Sequence, residues 1–350
     1  MTARLTLRAD RLTKQARHFQ SQVETIAVVK NDGYNHGLET VYKAFYKGGI
    51  RAFATTSLNE AVQLRKWNST IFILLMDPNT DFETLRAYDI TLTVSSFAYY
   101  EKYRDELKSL SIQLVYKNDL NRLGFDRLDQ MKTVLDDPQM HVTGLWTHFA
   151  SADDFGVDRY EKEVRNWQAL LLDLNDYLSD LDYIHAQNSA SYLRSSLLPK
   201  HTHVRIGVAL YGTRPYYSGL EDAAAEQAVT VQADVIELTP VSAGQSVGYS
   251  ADYLVEKDTL IAVCDIGYGN GLLKGRKAFP VKIREKSYPI RVMMMSHVLV
   301  EVDRDVQIGD AVTFYDDDLR FDWFTKHGIG AFSQQMSSLN RQTFDVTVIE

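Results

Sequence analysis

Eight short apolar runs separated by amphipathic stretches, followed by strands without long helices, predict an α/β chain: a (β/α)8 barrel followed by a mostly antiparallel β domain. The runs are TIAVV (25–29), RAFATT (51–56), TIFILLM (70–76), ITLTV (90–94), SIQLVY (111–116), HVTGLWTHF (141–149), DYIHA (182–186) and THVRIGV (202–208). They are short and rich in β-branched residues, as strands buried on both faces should be. Seven strand-to-strand steps between residues 26 and 203 average about 25 residues each, the length of one βα unit. A doubly wound open sheet is the rival, but its usual GxGxxG first turn is absent.

Between the runs, SLNEAVQLRKW (57–67) has helical spacing behind Ser57 as a cap, and YEKEVRNWQALLLDLNDYLSDL (160–181) is a longer amphipathic pattern. The character changes after Pro215, where YYSGLEDAAAEQ (216–227) is polar and reads as a connection. AVTVQADVIEL, TLIAVCDIG, FPVKIREKSYPIRVMMM, HVLVEVD and AVTFYD then alternate with turn residues. The division expected is a barrel over residues 1–220 and a β domain over 221–350. The first ten residues fit a strand of either domain.

Composition narrows the function. Hydrophobic residues make up 45% and charged residues 24%, the balance of an ordinary globular chain rather than a disordered one. A net charge of −8 without a long basic block argues against nucleic acid as a partner. The single cysteine, Cys264, cannot form an intrachain disulfide, which fits a reducing compartment. The start MTARLTLRADRLTKQ lacks the apolar core of a signal peptide, and no apolar run approaches bilayer-spanning length. A soluble, cytoplasmic protein without a membrane partner is expected.

In a barrel, chemistry sits at the C-terminal ends of the strands. Those ends supply Lys30, then NDGYNHG (31–37), Asn121 and Arg122, His148, Asn188 and Ser189, and Arg205. Lys30 follows four apolar residues and points toward the barrel mouth; a lysine that merely snorkels to solvent fits the same position. Beside cationic neighbours, a desolvated lysine loses basicity and becomes a Schiff-base nucleophile.

AVVKNDGYNHG (27–37) resembles the pyridoxal-phosphate lysine signature of alanine racemases, A-V-[VL]-K-A-[ND]-A-Y-G-H-G. LNRLGF (120–125), THFASAD (147–153), QNSAS (187–191), VRIGVALYG (204–212), VGYSADY (247–253) and DIGYGNG (265–271) follow in that family's order, so the resemblance spans nearly the whole chain. It implies a pyridoxal-5′-phosphate-dependent amino-acid racemase, most simply of alanine, working as a homodimer with shared active sites and no metal. Lys30 would hold the cofactor as a Schiff base and serve as one acid/base group. Tyr249 would be the second, reaching the site from the other subunit. Inverting a carbon centre needs a proton removed on one face and delivered on the other, which a single group serves poorly. Arg205 matches the arginine on the pyridine nitrogen, and Tyr34, Ser189, Gly207 and Val208 match phosphate-contacting positions. His148 and Asn188 match supports of the cofactor and the arginine. Arg122, Tyr268 and Met295 match positions at the substrate.

The departures from the family pattern fall around this set. Val115 stands where the family often has a carbamylated lysine that holds the arginine corresponding to Arg122, leaving another acid, Asn118 or an anion to orient it. Ser296 and His297 replace an Asp-Gln pair, Asn270 replaces an aspartate, and Phe332 stands for a tyrosine near the phosphate. A weaker or broader racemase is expected from these changes. A racemase of serine or lysine, or a cofactor-binding paralogue of little activity, are the alternatives. A decarboxylase of the same architecture is disfavoured, since it would place an acid where Arg205 lies.

Overall fold

Each of the eight apolar runs forms a parallel strand, somewhat shorter than its run: β2 Thr25–Val28, β3 Ala52–Thr55, β4 Phe72–Leu75, β5 Thr91–Val94, β6 Ser111–Val115, β7 His141–Trp146, β8 Tyr183–His185 and β9 Val204–Ile206. They form one sheet in the order β8-β7-β6-β5-β4-β3-β2-β9. The sheet closes because Thr202 N–H donates to the Ile184 carbonyl and Arg205 N–H to that of Gln187, both at 2.9 Å. Closure leaves no sheet edge exposed. Strands β2, β3 and β5 are buried at every position, as strands covered on both faces are, and the polar residues they carry are threonines: Thr25, Thr55, Thr91 and Thr93. The computed structural model describes residues 2–214 and 225–350.

The chain divides into two compact units, Leu12–Ala225 and Met1–Arg11 with Glu226–Glu350. Residue 220, where the sequence placed the boundary, and residues 216–224 of the connection lie outside the described residues. The barrel unit holds β2 to β9, with helices on the outside such as Leu38–Lys47, Leu58–Trp67 and Arg159–Asp173. Ser57 takes the extended N-cap backbone before Leu58–Trp67, but its side chain makes no capping bond. The sequence expected one. The nearby Thr55 hydroxyl accepts the Ser57 N–H instead, at 3.3 Å.

The second unit is a nine-stranded sheet, antiparallel in all but one pairing. Its long strand β10, Val229–Val241, alternates buried and partly exposed side chains over its first half, the pattern of a sheet with one face in a core. The chain's first strand, β1 (Arg4–Arg8), belongs here: it pairs antiparallel with β10 and parallel with Asp345–Ile349. Leu5 and Leu7 are fully buried, and the Arg4 guanidinium makes a two-pronged bond to Asp234, at 2.9 and 2.6 Å. Among the described residues no helix is long and apolar enough to cross a membrane.

Candidate active site

After β2 the chain makes a feature rare for L-residues. Asn31, Asp32, Gly33, Tyr34 and Asn35 all have φ between 50° and 64°, one continuous left-handed turn. Only Gly33 adopts this conformation without penalty, and it is needed twice over, since a Cβ there would lie 2.5 Å from a Val41 methyl. The turn leaves Lys30 at the barrel mouth and turns Tyr34 back toward β9.

Nine of the residues expected from the sequence line one cavity of about 350 Å³ in the barrel unit: Lys30, Tyr34, Arg122, His148, Asn188, Ser189, Arg205, Gly207 and Val208. Thr56, Met76, Trp146 and Asp153 line it too. Burial and the charge of Arg122 hold the Lys30 amine below the ordinary lysine range, partly offset by Asp77. A larger share of this lysine is therefore neutral and nucleophilic at a given pH.

Arg205 is only 2% exposed, yet its partners are neutral. One terminal nitrogen donates to His185 Nδ1 at 2.6 Å, and the other donates to the Thr147 carbonyl at 2.7 Å and to His148 Nδ1 at 3.2 Å. The guanidinium also lies over the Trp146 ring, 4.8 Å from its centroid. Desolvation, with Arg122 adding to it, lowers the Arg205 pKa to about 9, so the group stays a cation at neutral pH. The pairing with an acid at the rim that a lone arginine would usually make is absent from these bonds. His185 Nε2 meets Gln113 Oε1 at 2.9 Å, so the ring carries its proton on Nε2 and accepts from Arg205 on Nδ1. His148, half-buried and facing Arg205, Arg122 and Lys30, is neutral, with its pKa lowered to about 3 by desolvation and by those cations.

In the same cavity, Ser189 opens the short helix Ser189–Ser195, whose N-cap Asn188 closes a capping box with Ser191. The N–H groups of Gly207 and Ala209 both point at Ser189 Oγ, at 3.1 and 3.3 Å. A Cβ on Gly207 would lie 3.0 Å from the Tyr34 hydroxyl, so any larger residue has to push that hydroxyl aside by a few tenths of an ångström. Hydroxyls and convergent N–H groups gathered at one wall form a cradle for an anion. Burial raises the Tyr34 pKa to about 12, keeping its hydroxyl a donor.

The remaining site candidates lie in the β unit. Tyr249 is 76% exposed and Met295 61%. The Tyr268 N–H donates to the Met294 carbonyl at 3.0 Å and the Gly269 N–H to that of Met295 at 2.8 Å, which ties the Tyr268 loop to the Met295 turn. Gly248, just before Tyr249, abuts Val292 of the strand Ile290–Met293 that leads into the same turn. The β unit thus presents these three side chains from neighbouring loops.

The departures resolve differently. Val115 is a buried strand residue whose carbonyl accepts the Phe125 N–H at 2.8 Å. Asn118 does not orient Arg122; its amide donates to the Glu163 carbonyl at 2.9 Å. Arg122 makes no hydrogen bond or ion pair among the described residues, and Asp153 is the acid that shares its cavity. Asn270 is a lock: its Oδ1 accepts the Gly267 N–H at 2.9 Å while its NH2 donates to the Thr343 hydroxyl at 3.0 Å. An aspartate could accept the first bond but could not donate to the neighbouring Thr343 carbonyl. Phe332 is buried in the β unit, edge-on to Phe321, and its place is that of a core residue. His185 and Gln113 were not singled out in the sequence; an inward polar residue in an apolar strand was their only signal.

Eight βα units followed by an antiparallel β unit, with titratable groups gathered at the barrel mouth, are the architecture of a barrel-plus-β-domain enzyme. Sequence models of the alanine racemase N-terminal domain and C-terminal domain match residues 7–215 and 228–330. The chain belongs to the alanine racemase family. It is 42% identical over 327 residues to alanine racemase 2 of Staphylococcus aureus (strain Mu50 / ATCC 700699), covering 91% of this chain and 90% of that one. It is 30% identical over 318 residues to alanine racemase 1 of Bacillus subtilis (strain 168), covering 87% and 80%. Among solved structures, the fold matches alanine racemase from E. faecalis with a TM-score of 0.88 at 24% identity, over 99% of this chain and 98% of that one. It also matches alanine racemase from Bartonella henselae with covalently bound pyridoxal phosphate, with a TM-score of 0.86 at 22% identity over the whole of both chains.

Proposed function

We propose that this protein is a pyridoxal-phosphate-dependent alanine racemase, acting as a homodimer. The observation that carries the reading is the single cavity joining Lys30, of lowered basicity, to an acid-free Arg205 and to the anion cradle of Ser189, Gly207 and Tyr34. These groups suit the aldehyde, ring nitrogen and phosphate of the cofactor in turn. The S. aureus and B. subtilis relatives carry the activity in their names. When bound, the cofactor acidifies the α-hydrogen of an attached amino acid by drawing electron density into its ring.

Lys30 Nζ anchors the cofactor and then exchanges a proton with the substrate Cα on one face. Tyr249, supplied by a second copy, exchanges a proton on the other face; its exposure in the single chain suits that role. Arg205 would donate to the ring nitrogen. Held by His185, Thr147 and His148, and unable to surrender its proton at working pH, it limits how much charge the ring withdraws. That restraint favours returning the proton to Cα over transferring it elsewhere. Arg122, which no internal acid neutralises, is free to meet the substrate carboxylate; Tyr268 and Met295 then border the substrate from the β unit.

Borohydride treatment of the cofactor-loaded protein followed by peptide mapping should find the label on Lys30. Chiral analysis should show L-alanine and D-alanine converging on equal amounts. Label on another lysine, or a loaded protein that converts neither enantiomer, would remove the reading.

A further inference from the structure

The left-handed turn that carries Lys30 and Tyr34 is disfavoured at four of its five residues, which are not glycine. Such backbone persists only where its surroundings over-determine it. Part of the restraint is local: Gly33 N–H donates to the Val29 carbonyl at 2.9 Å, Gly37 N–H to the Asp32 carbonyl at 3.0 Å, and Leu38 N–H to the Asp32 carboxylate at 2.7 Å. Another part comes from a separate helix. Glu60, in Leu58–Trp67, accepts the Asp32 backbone N–H on Oε1 at 2.7 Å, and its Oε2 accepts the hydroxyl of Thr55. Thr55 is fully buried at the end of β3, the strand beside β2. A carboxylate accepting a peptide N–H makes a strong, directional bond. Here it joins the middle of the left-handed turn to the rigid end of a barrel strand.

We infer that Glu60 is a positioning residue that holds the Asn31–Asn35 turn in its left-handed form and thereby sets where Lys30 Nζ and the Tyr34 hydroxyl stand. Glu60 is not among the residues lining the cavity, so it acts through the Asp32 peptide rather than by touching a ligand. Its value for catalysis rests on the racemase reading; its hold on the turn does not.

The test compares wild type with Glu60→Ala, Glu60→Gln and Thr55→Val in two arms. In cofactor-free protein, amide exchange over residues 30–38 should quicken at least tenfold in Glu60→Ala. The pH dependence of Lys30 reductive methylation should shift with it. Glu60→Gln keeps the Oε1 acceptor, and the Thr55 hydroxyl can accept from its new amide, so both readouts should stay within about twofold of wild type. In the second arm, pyridoxal phosphate is added. Glu60→Ala should bind it at least tenfold more weakly and give an altered visible circular dichroism band, with Glu60→Gln again near wild type. Thr55→Val, which leaves the carboxylate in place but loosens it, should fall between and serves if Glu60→Ala does not fold. Unchanged exchange and methylation in Glu60→Ala or Thr55→Val would overturn the inference. Faster exchange with unchanged Lys30 reactivity would overturn it too, since Glu60 would then hold backbone without positioning the amine. A wild type that never takes the cofactor on Lys30 would instead overturn the racemase reading, leaving the first arm to decide the role of Glu60.

Discussion

At the scale of single residues, the site depends on what is missing as much as on what is present. Gly207 lacks the Cβ that would stand 3.0 Å from the Tyr34 hydroxyl, and Arg205 has two imidazole partners where an acid would be ordinary. The first absence makes a quantitative prediction. Gly207→Ala should weaken cofactor binding by displacing Tyr34 or crowding the phosphate. Without that hydroxyl, the nearest ring atom of residue 34 is 3.7 Å from the new methyl, an ordinary contact. Tyr34→Phe alone loses one hydrogen bond to the cofactor, on the order of 1 kcal/mol or about fivefold in affinity. The double variant should therefore bind better than the sum of the two losses predicts, by about 1 kcal/mol in a double-mutant cycle. Strict additivity in titrations of the cofactor would show that Gly207 and Tyr34 do not share the phosphate position.

At the scale of elements, the ends of β8 and β9 are built around neutral histidines. His201 accepts the Trp167 indole N–H on Nε2 at 2.6 Å and meets Gln187 Oε1 through Nδ1 at 3.1 Å, so it holds one proton, on Nδ1. His185 holds its proton on Nε2 and faces Arg205 with Nδ1. A second proton on either ring would point at an existing donor. Burial, with Arg205 adding to it, accordingly lowers the His201 pKa to about 3 and that of His185 well below its usual value. An unfolded chain protonates both near pH 6.5, so the unfolded state binds more protons and stability falls as the pH drops through and below that value. Each histidine should contribute a slope approaching about 1.4 kcal/mol per pH unit below pH 6. Denaturant unfolding between pH 5 and 8 measures this directly. His201→Gln should flatten the acid limb by about half of the two-histidine slope, and an equally steep limb in that variant would assign the effect elsewhere.

At the scale of the molecule, the two units contribute different chemistry. The barrel unit carries Lys30, Arg122 and Arg205, while the β unit carries Tyr249, Tyr268 and Met295. If Tyr249 serves a second copy, two inactive variants should repair each other. A Lys30→Ala chain paired with a Tyr249→Phe chain makes one site missing both groups and one site missing neither. Mixing the two under conditions that exchange subunits should restore racemisation, to at most about half of the wild-type rate per heterodimer. Demonstrated exchange without recovered activity would place Tyr249 outside the site of the other chain.

The barrel was readable because periodicity is local. A strand buried on both faces is a short apolar run whatever lies far away in sequence, and TIAVV, TIFILLM and ITLTV became β2, β4 and β5 with little change. Lys30 and His148 were readable for the same reason, since each follows a strand by two residues; Arg205, expected at a strand end, is instead the central residue of β9. Three features had no such signal. The strand β1 reads as apolar alternation that would suit either unit, and only its pairing with β10, more than 200 residues away, assigns it. Gln113 meets His185 across 72 residues of chain, and Glu60 meets Asp32 across 28. The local pattern determined which residues form strands and which stand at their ends. Barrel closure alone decided which polar side chains share its interior, because that contact exists only once distant strands lie side by side and water is gone from between them.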